Sequence, residues 1–214
     1  VLTWRQSEIW RTPETLWTHA IRYAPGPTAH QNLAVIYAKS ERLSNAVTQY
    51  RAALAFEPLH EASLYGLAFA YTRLRQFDAA LPIYETLLRY HGRDAKAHLQ
   101  YAHALREVGR TEDALREYGE AARLDPQSVE ARMNQGQLLF DRRQFPAAAD
   151  VFQQVVRLRG ELPDPHYFLA GALVQLDRRD EAVAELREVL RLQPAHADAR
   201  QKLELLLKQP SPGK

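Results

Sequence analysis

The chain contains no cysteine, which excludes disulfides, thiolate zinc sites and cysteine nucleophiles. No run of apolar residues approaches eighteen, so nothing in it is expected to insert into a membrane. Neither sign of charge is in excess: 28 basic residues stand against 26 acidic ones, for a net charge of +2. That balance gives no electrostatic case for binding nucleic acid. The metalloprotease HExxH, the dinucleotide GxGxxG and the P-loop are all missing. Eight histidines remain as candidates for chemistry. His30, His98 and His166 recur at one fixed spacing, so they are expected in packing and far from one another. His98 and His103 are five residues apart, about 140° around a helix axis, and cannot share one ion. No metal, cofactor or catalysis is expected.

What is present is a period. Ala46, Ala80, Ala114, Ala148 and Ala182 fall 34 residues apart without a gap. Tyr50, Tyr84, Tyr118, Phe152 and Leu186 form a second column, and Leu33, Leu67, Tyr101, Gln135 and Leu169 a third. Pro58, Gly92, Pro126, Gly160 and Pro194 close each copy. Each copy reads as two amphipathic helices, the second ended by Pro or Gly. Ser44 is expected to cap the second helix of the first copy, and Asp78 that of the next, which leaves Pro82 about one turn inside. One helix pair cannot bury its own apolar stripe, whereas stacked pairs can, so the class is an all-α solenoid.

These columns resemble the tetratricopeptide repeat family over nearly the whole chain. Its 34-residue pattern is matched at positions 7, 11, 20, 24 and 32 from Pro27 to Pro194. Position 8, small in the family, is Ala34, Ala68, Ala102, Gly136 and Ala170, where the two helices of a pair approach closely. Position 4, aromatic in the family, departs: it is His30, Leu64, His98, Arg132 and His166. The resemblance implies a right-handed superhelical solenoid of antiparallel helix pairs. Five full repeats are expected at 27–60, 61–94, 95–128, 129–162 and 163–196. A partial repeat precedes them at 1–26, with Thr12 as cap, Pro13 at the first helical position and Trp17 in the column of Tyr50. A capping helix follows at 197–208, its Leu203, Leu206 and Leu207 covering the last repeat, and then a disordered tail at 209–214.

The fold implies a binding role without naming the partner. The first helix of each pair lines a concave groove, and positions 2, 5, 6, 9, 12 and 13 face it. That stripe reads Gln31, Asn32, Val35 and Lys39, then Tyr65, Phe69 and Arg73, then Lys96, Leu99, Gln100, His103 and Arg106. It continues with Met133, Asn134, Gln137 and Phe140, and ends with Tyr167, Phe168 and Val174. The chaperone-binding members carry a carboxylate clamp, but here its places hold Gln31, Val35, Gly66, Lys96 and Gln100, and only Lys96 matches. The asparagine ladder of glycosyltransferase-linked members is also missing, with Asn32, Gly66, Gln100, Asn134 and Phe168 in its column. The expected function is a non-catalytic scaffold that takes a protein or peptide in its groove.

All three tryptophans, Trp4, Trp10 and Trp17, lie within the first seventeen residues. The segment with Thr3, Trp4, Arg5, Trp10, Leu16 and Trp17 resembles the junction between membrane helix and repeat array in transmembrane O-mannosyltransferase relatives. It implies a soluble domain tethered through an upstream membrane portion, on a side of the membrane left open. An accessory acceptor-binding domain is therefore one alternative expectation, and self-association through the solenoid ends is another.

Overall fold

The structure, a computed structural model, describes residues 11–208 of the chain's 214. The described residues are helices and short connections, in two compact units divided between Ala114 and Leu115. The first unit holds α1 (Pro13–Tyr23), α2 (Pro27–Lys39), α3 (Leu43–Phe56), α4 (Glu61–Arg73), α5 (Phe77–Tyr90) and α6 (Ala95–Glu107). The division falls inside α7 (Thr111–Leu124). The second unit continues with α8 (Val129–Asp141), α9 (Phe145–Leu158), α10 (Pro163–Gln175), α11 (Arg179–Leu192) and α12 (Ala197–Lys208). In the first unit each helix from α1 to α6 packs on the next, and in the second each from α8 to α12 does; α2 also packs on α4, α4 on α6 and α8 on α10. The fold is therefore the expected all-α array: five helix pairs, a preceding lone helix and a closing one.

The columns of the sequence are the core. All five alanines at position 20 are fully buried, as are Tyr84, Tyr118, Phe152 and Leu186 at position 24. In the first unit Tyr50 packs with Ala34, Ala46 and Leu67. In the second, Phe152 packs with Leu139, Ala170 and Leu173, and Leu186 continues that core toward Ala199 of α12. Burial pushes the Tyr84 hydroxyl well above the usual phenol range, against a weak opposing hydrogen bond from the Thr72 hydroxyl at 3.5 Å.

The turn inside each pair is built one way throughout. Position 15 is left-handed in every copy: Glu41 (φ 57°), Arg75 (57°), Gly109 (77°), Arg143 (58°) and Asp177 (58°). The next amide donates back to the carbonyl five residues earlier, as in Arg42 to Tyr37, Arg110 to Leu105 and Gln144 to Leu139, each at 2.9 Å. This is the Schellman C-cap, which favours glycine because a Cβ crowds the carbonyl there. Four of the five copies carry that strain. Arg143→Gly should therefore raise stability by about 0.5–1 kcal/mol, net of glycine's greater unfolded-state entropy. A urea denaturation midpoint equal to or below that of the wild type would count against it.

Several local expectations change. Thr12 does cap α1, in a reciprocal hydrogen-bonded box with Thr15, and Pro13 opens the helix. Trp17 is half-buried on α1. Ser44, however, lies inside α3, whose N-cap is Arg42, because the left-handed turn ends two residues earlier. Likewise α5 starts at Phe77 after Gln76, so Pro82 sits deeper in the helix than expected and leaves the Asp78 carbonyl without its helical donor. On α12, Leu203 and Leu206 pack on the core as expected, but Leu207 is 56% exposed and is not among the residues packed against it. Trp4, Trp10 and residues 209–214 lie outside the described residues.

Candidate functional site

The histidine column has a structural task that also explains the departure at position 4. His98 Nε2 faces the Gly92 carbonyl at 3.3 Å, and His166 Nε2 the Gly160 carbonyl at 3.0 Å. Arg132 donates to the Pro126 carbonyl at 2.8 Å, and Arg200 of α12 to the Pro194 carbonyl at 2.6 Å. Each acceptor is the position-32 carbonyl of the copy before. That residue lies two past the end of the second helix, in the connection, where no helical amide reaches its carbonyl. A donor at position 4 supplies what the family's aromatic residue cannot. His30 instead donates to Gln49 at 2.8 Å and stacks on Phe56. Among the described residues no three His, Asp or Glu side chains are placed to hold a metal ion, and no helix is long and apolar enough to cross a membrane.

In the first unit three residues of the expected stripe, Tyr65, Phe69 and Arg73, form a row on α4. Tyr65 and Phe69 are half-buried and stacked, with centroids 6.2 Å apart and planes within 5°. The Arg73 guanidinium lies 6.0 Å from the Phe69 ring, and Glu41 fixes it at 2.8 Å. Spacing of four residues puts all three on one helical face. Asn32 on α2 and His103 on α6 are half-buried, whereas Lys96 and Arg106 are exposed. Leu99 departs from the expectation: it is only 8% exposed, packed among α6 neighbours that are themselves buried. It offers almost nothing to a ligand.

In the second unit two clefts share Phe140, Gly171 and Lys202 and so form one trough between α8, α10 and α12. One cleft, of about 340 Å³, adds Gln137, Asp141, Tyr167 and Phe168. The other, of about 270 Å³, adds Val174, Gln175, Leu205 and Leu206. Tyr167 is held on three sides, by Phe168 edge-on, by the stacked His196 ring at 4.9 Å, and by the Lys202 ammonium at 4.2 Å. Of the expected residues, Gln137 and Tyr167 are thus brought together. Met133 packs on the core, and Asn134 donates to the Glu130 carbonyl of its own helix.

Four family profiles, all for the tetratricopeptide repeat, match residues 27–58, 63–96, 99–163 and 139–206. The chain belongs to the tetratricopeptide repeat family. Solved structures agree on the fold. YrrB, a tetratricopeptide repeat protein described as having an unusual peptide-binding site, superimposes with a TM-score of 0.77 at 21% identity, over 88% of this chain and 97% of that one. MamA gives 0.74 at 15% identity, over 80% and 94%. A thermophilic tetratricopeptide repeat protein of Thermus thermophilus gives 0.52 at 23% identity, over 85% and 98%. No curated protein matches the chain.

Tetratricopeptide repeat proteins are generally protein-interaction scaffolds, and the second unit of this one carries a trough lined by Phe140, Phe168, Val174, Leu205 and Leu206. The O-mannosyltransferase-like junction draws no support from these matches. The sequence stripe included Phe140, Phe168 and Val174 of the trough but missed Gly171, Lys202 and Leu205. The signal that finds Lys202 is the repeat register itself: carried into α12, it makes Lys202 position 6 of a sixth first helix, one of the positions expected to face the groove.

Proposed function

We propose that this tetratricopeptide repeat chain is a non-catalytic scaffold whose second unit binds a peptide segment in the trough between α8, α10 and α12. The observation that carries this reading is Gly171. It lies in the interior of α10, where glycine costs about 1 kcal/mol against alanine. Packing does not require it: a Cβ there would stand 3.7 Å from the Phe140 ring, an ordinary contact. Its backbone is helical, so no special dihedral requires it either. What a side chain at 171 would do is fill the trough. An apolar recess with a few polar groups at its edge is the usual form of a peptide site.

Selection of phage-displayed random peptides on the full chain tests this. Peptides so obtained should lose at least tenfold in affinity for Tyr167→Ala, and should fail to bind Gly171→Leu, by fluorescence anisotropy. Gly171→Leu should keep or raise the thermal midpoint, because leucine is the better helix former and its side chain enters an apolar recess. Unchanged binding by both variants would exclude the trough as the site.

A further inference from the structure

Resting on that reading, we infer that the trough selects peptides in which a large apolar side chain is neighboured by an acidic one. The apolar half is the cleft formed by Phe140, Val174, Leu205 and Leu206 around Gly171. Leu205 is 53% and Val174 37% exposed, so apolar surface is left open there for a partner to cover. The acidic half follows from Lys202. It is the only charged residue lining that cleft. Its ammonium rests on the face of Tyr167 at 4.2 Å, and among the described residues no carboxylate pairs with it.

The ring attracts the cation but accepts none of its hydrogen bonds in the ordinary sense, so the three N–H donors of Lys202 remain available to an incoming anion. The apolar floor beside them lowers the local dielectric, which strengthens that pairing over one formed in open water. Arg178 and Arg191 differ in kind. Arg178, the N-cap of α11, is held by Glu181, and Arg191 on that helix by Glu188, each in a two-pronged pair. Lys202 is the cation that the second unit leaves uncommitted beside its apolar recess. Asp141 lines the far part of the trough, beyond Phe140, and sets a direction. An acidic residue is welcome on the Lys202 side of the apolar anchor and opposed on the Asp141 side.

The test uses the full chain and fluorescein-labelled peptides with one central Trp or Leu anchor and Glu, Gln or Lys beside it, on either flank, read by anisotropy. The Glu peptide should bind about tenfold tighter than the Gln peptide, on one flank only, and the Lys peptide more weakly than either. Lys202→Met should hold the Gln peptide and lose the discrimination. Lys202→Glu should reverse it in favour of the Lys peptide. Equal affinity for all three peptides on the wild type would overturn the acidic preference while leaving the peptide site standing. Failure of every peptide to bind would overturn both.

Discussion

Gly136→Ala and Gly66→Ala will each lower stability by about 1–3 kcal/mol, whereas Gly119→Ala will raise it by about 1 kcal/mol. All three sit inside helices, so propensity favours alanine equally at each. The difference is what the new methyl meets. At Gly136 a Cβ would stand 2.5 Å from Cε1 of Phe152, a fully buried ring with no room to retreat. At Gly66 it would run into the ring of Tyr50, itself 4% exposed. At Gly119 the nearest atom is the Gln135 amide nitrogen at 3.4 Å, the end of a flexible side chain. The contrast in sign separates packing from propensity, because a general intolerance of α-helical substitution would move all three together. Phe152→Leu should remove most of the penalty of Gly136→Ala, since the shorter side chain withdraws from the clash. Urea denaturation of the two single variants and the double variant gives the coupling directly.

Those two glycines also mark where the sequence was readable and where it was not. Gly136 falls in the position-8 column, which is small in every copy, so close approach of paired helices could be read from the period. Gly66 falls at position 6, outside that column, and its partner Tyr50 belongs to the copy before. A contact between copies leaves no regular trace when only one copy needs it. The left-handed turn at position 15 was hidden for a related reason: Glu41, Arg75, Arg143 and Asp177 are not residues that announce a positive φ, and only Gly109 does. The second helices consequently begin two residues earlier than Ser44 and Asp78 suggested. In the binding face, residues on first helices of full copies were placed on the stripe by a 3.6-residue period, which Leu99 defeats because burial there reaches round to the groove edge. Lys202 and Leu205 escape because α12 reads as a polar lid with an apolar underside, whereas both residues line the trough.

His166→Leu will lower stability by about 2–3 kcal/mol, a large loss for a change that keeps side-chain volume nearly constant. The imidazole is 8% exposed and bonded on both sides, Nδ1 to the Glu185 carboxylate at 2.5 Å and Nε2 to the Gly160 carbonyl at 3.0 Å. Leucine would satisfy the apolar walls and strand both acceptors. Glu185 is 21% exposed, so water can replace the histidine there in part, while the Gly160 carbonyl just past α9 loses its side-chain partner. Removing both members of a buried polar pair costs less than removing one, because the desolvated charge is then gone as well. His166→Leu combined with Glu185→Met should therefore recover more than half of the loss. Arg200→Ala, at the equivalent position of α12, removes the same kind of bond to a carbonyl in an exposed setting and should cost clearly less. A denaturation midpoint for His166→Leu matching the wild type would mean that the position-4 donor contributes no net stability. The departure of this column from the family's aromatic pattern would then need another cause than the position-32 carbonyl it meets.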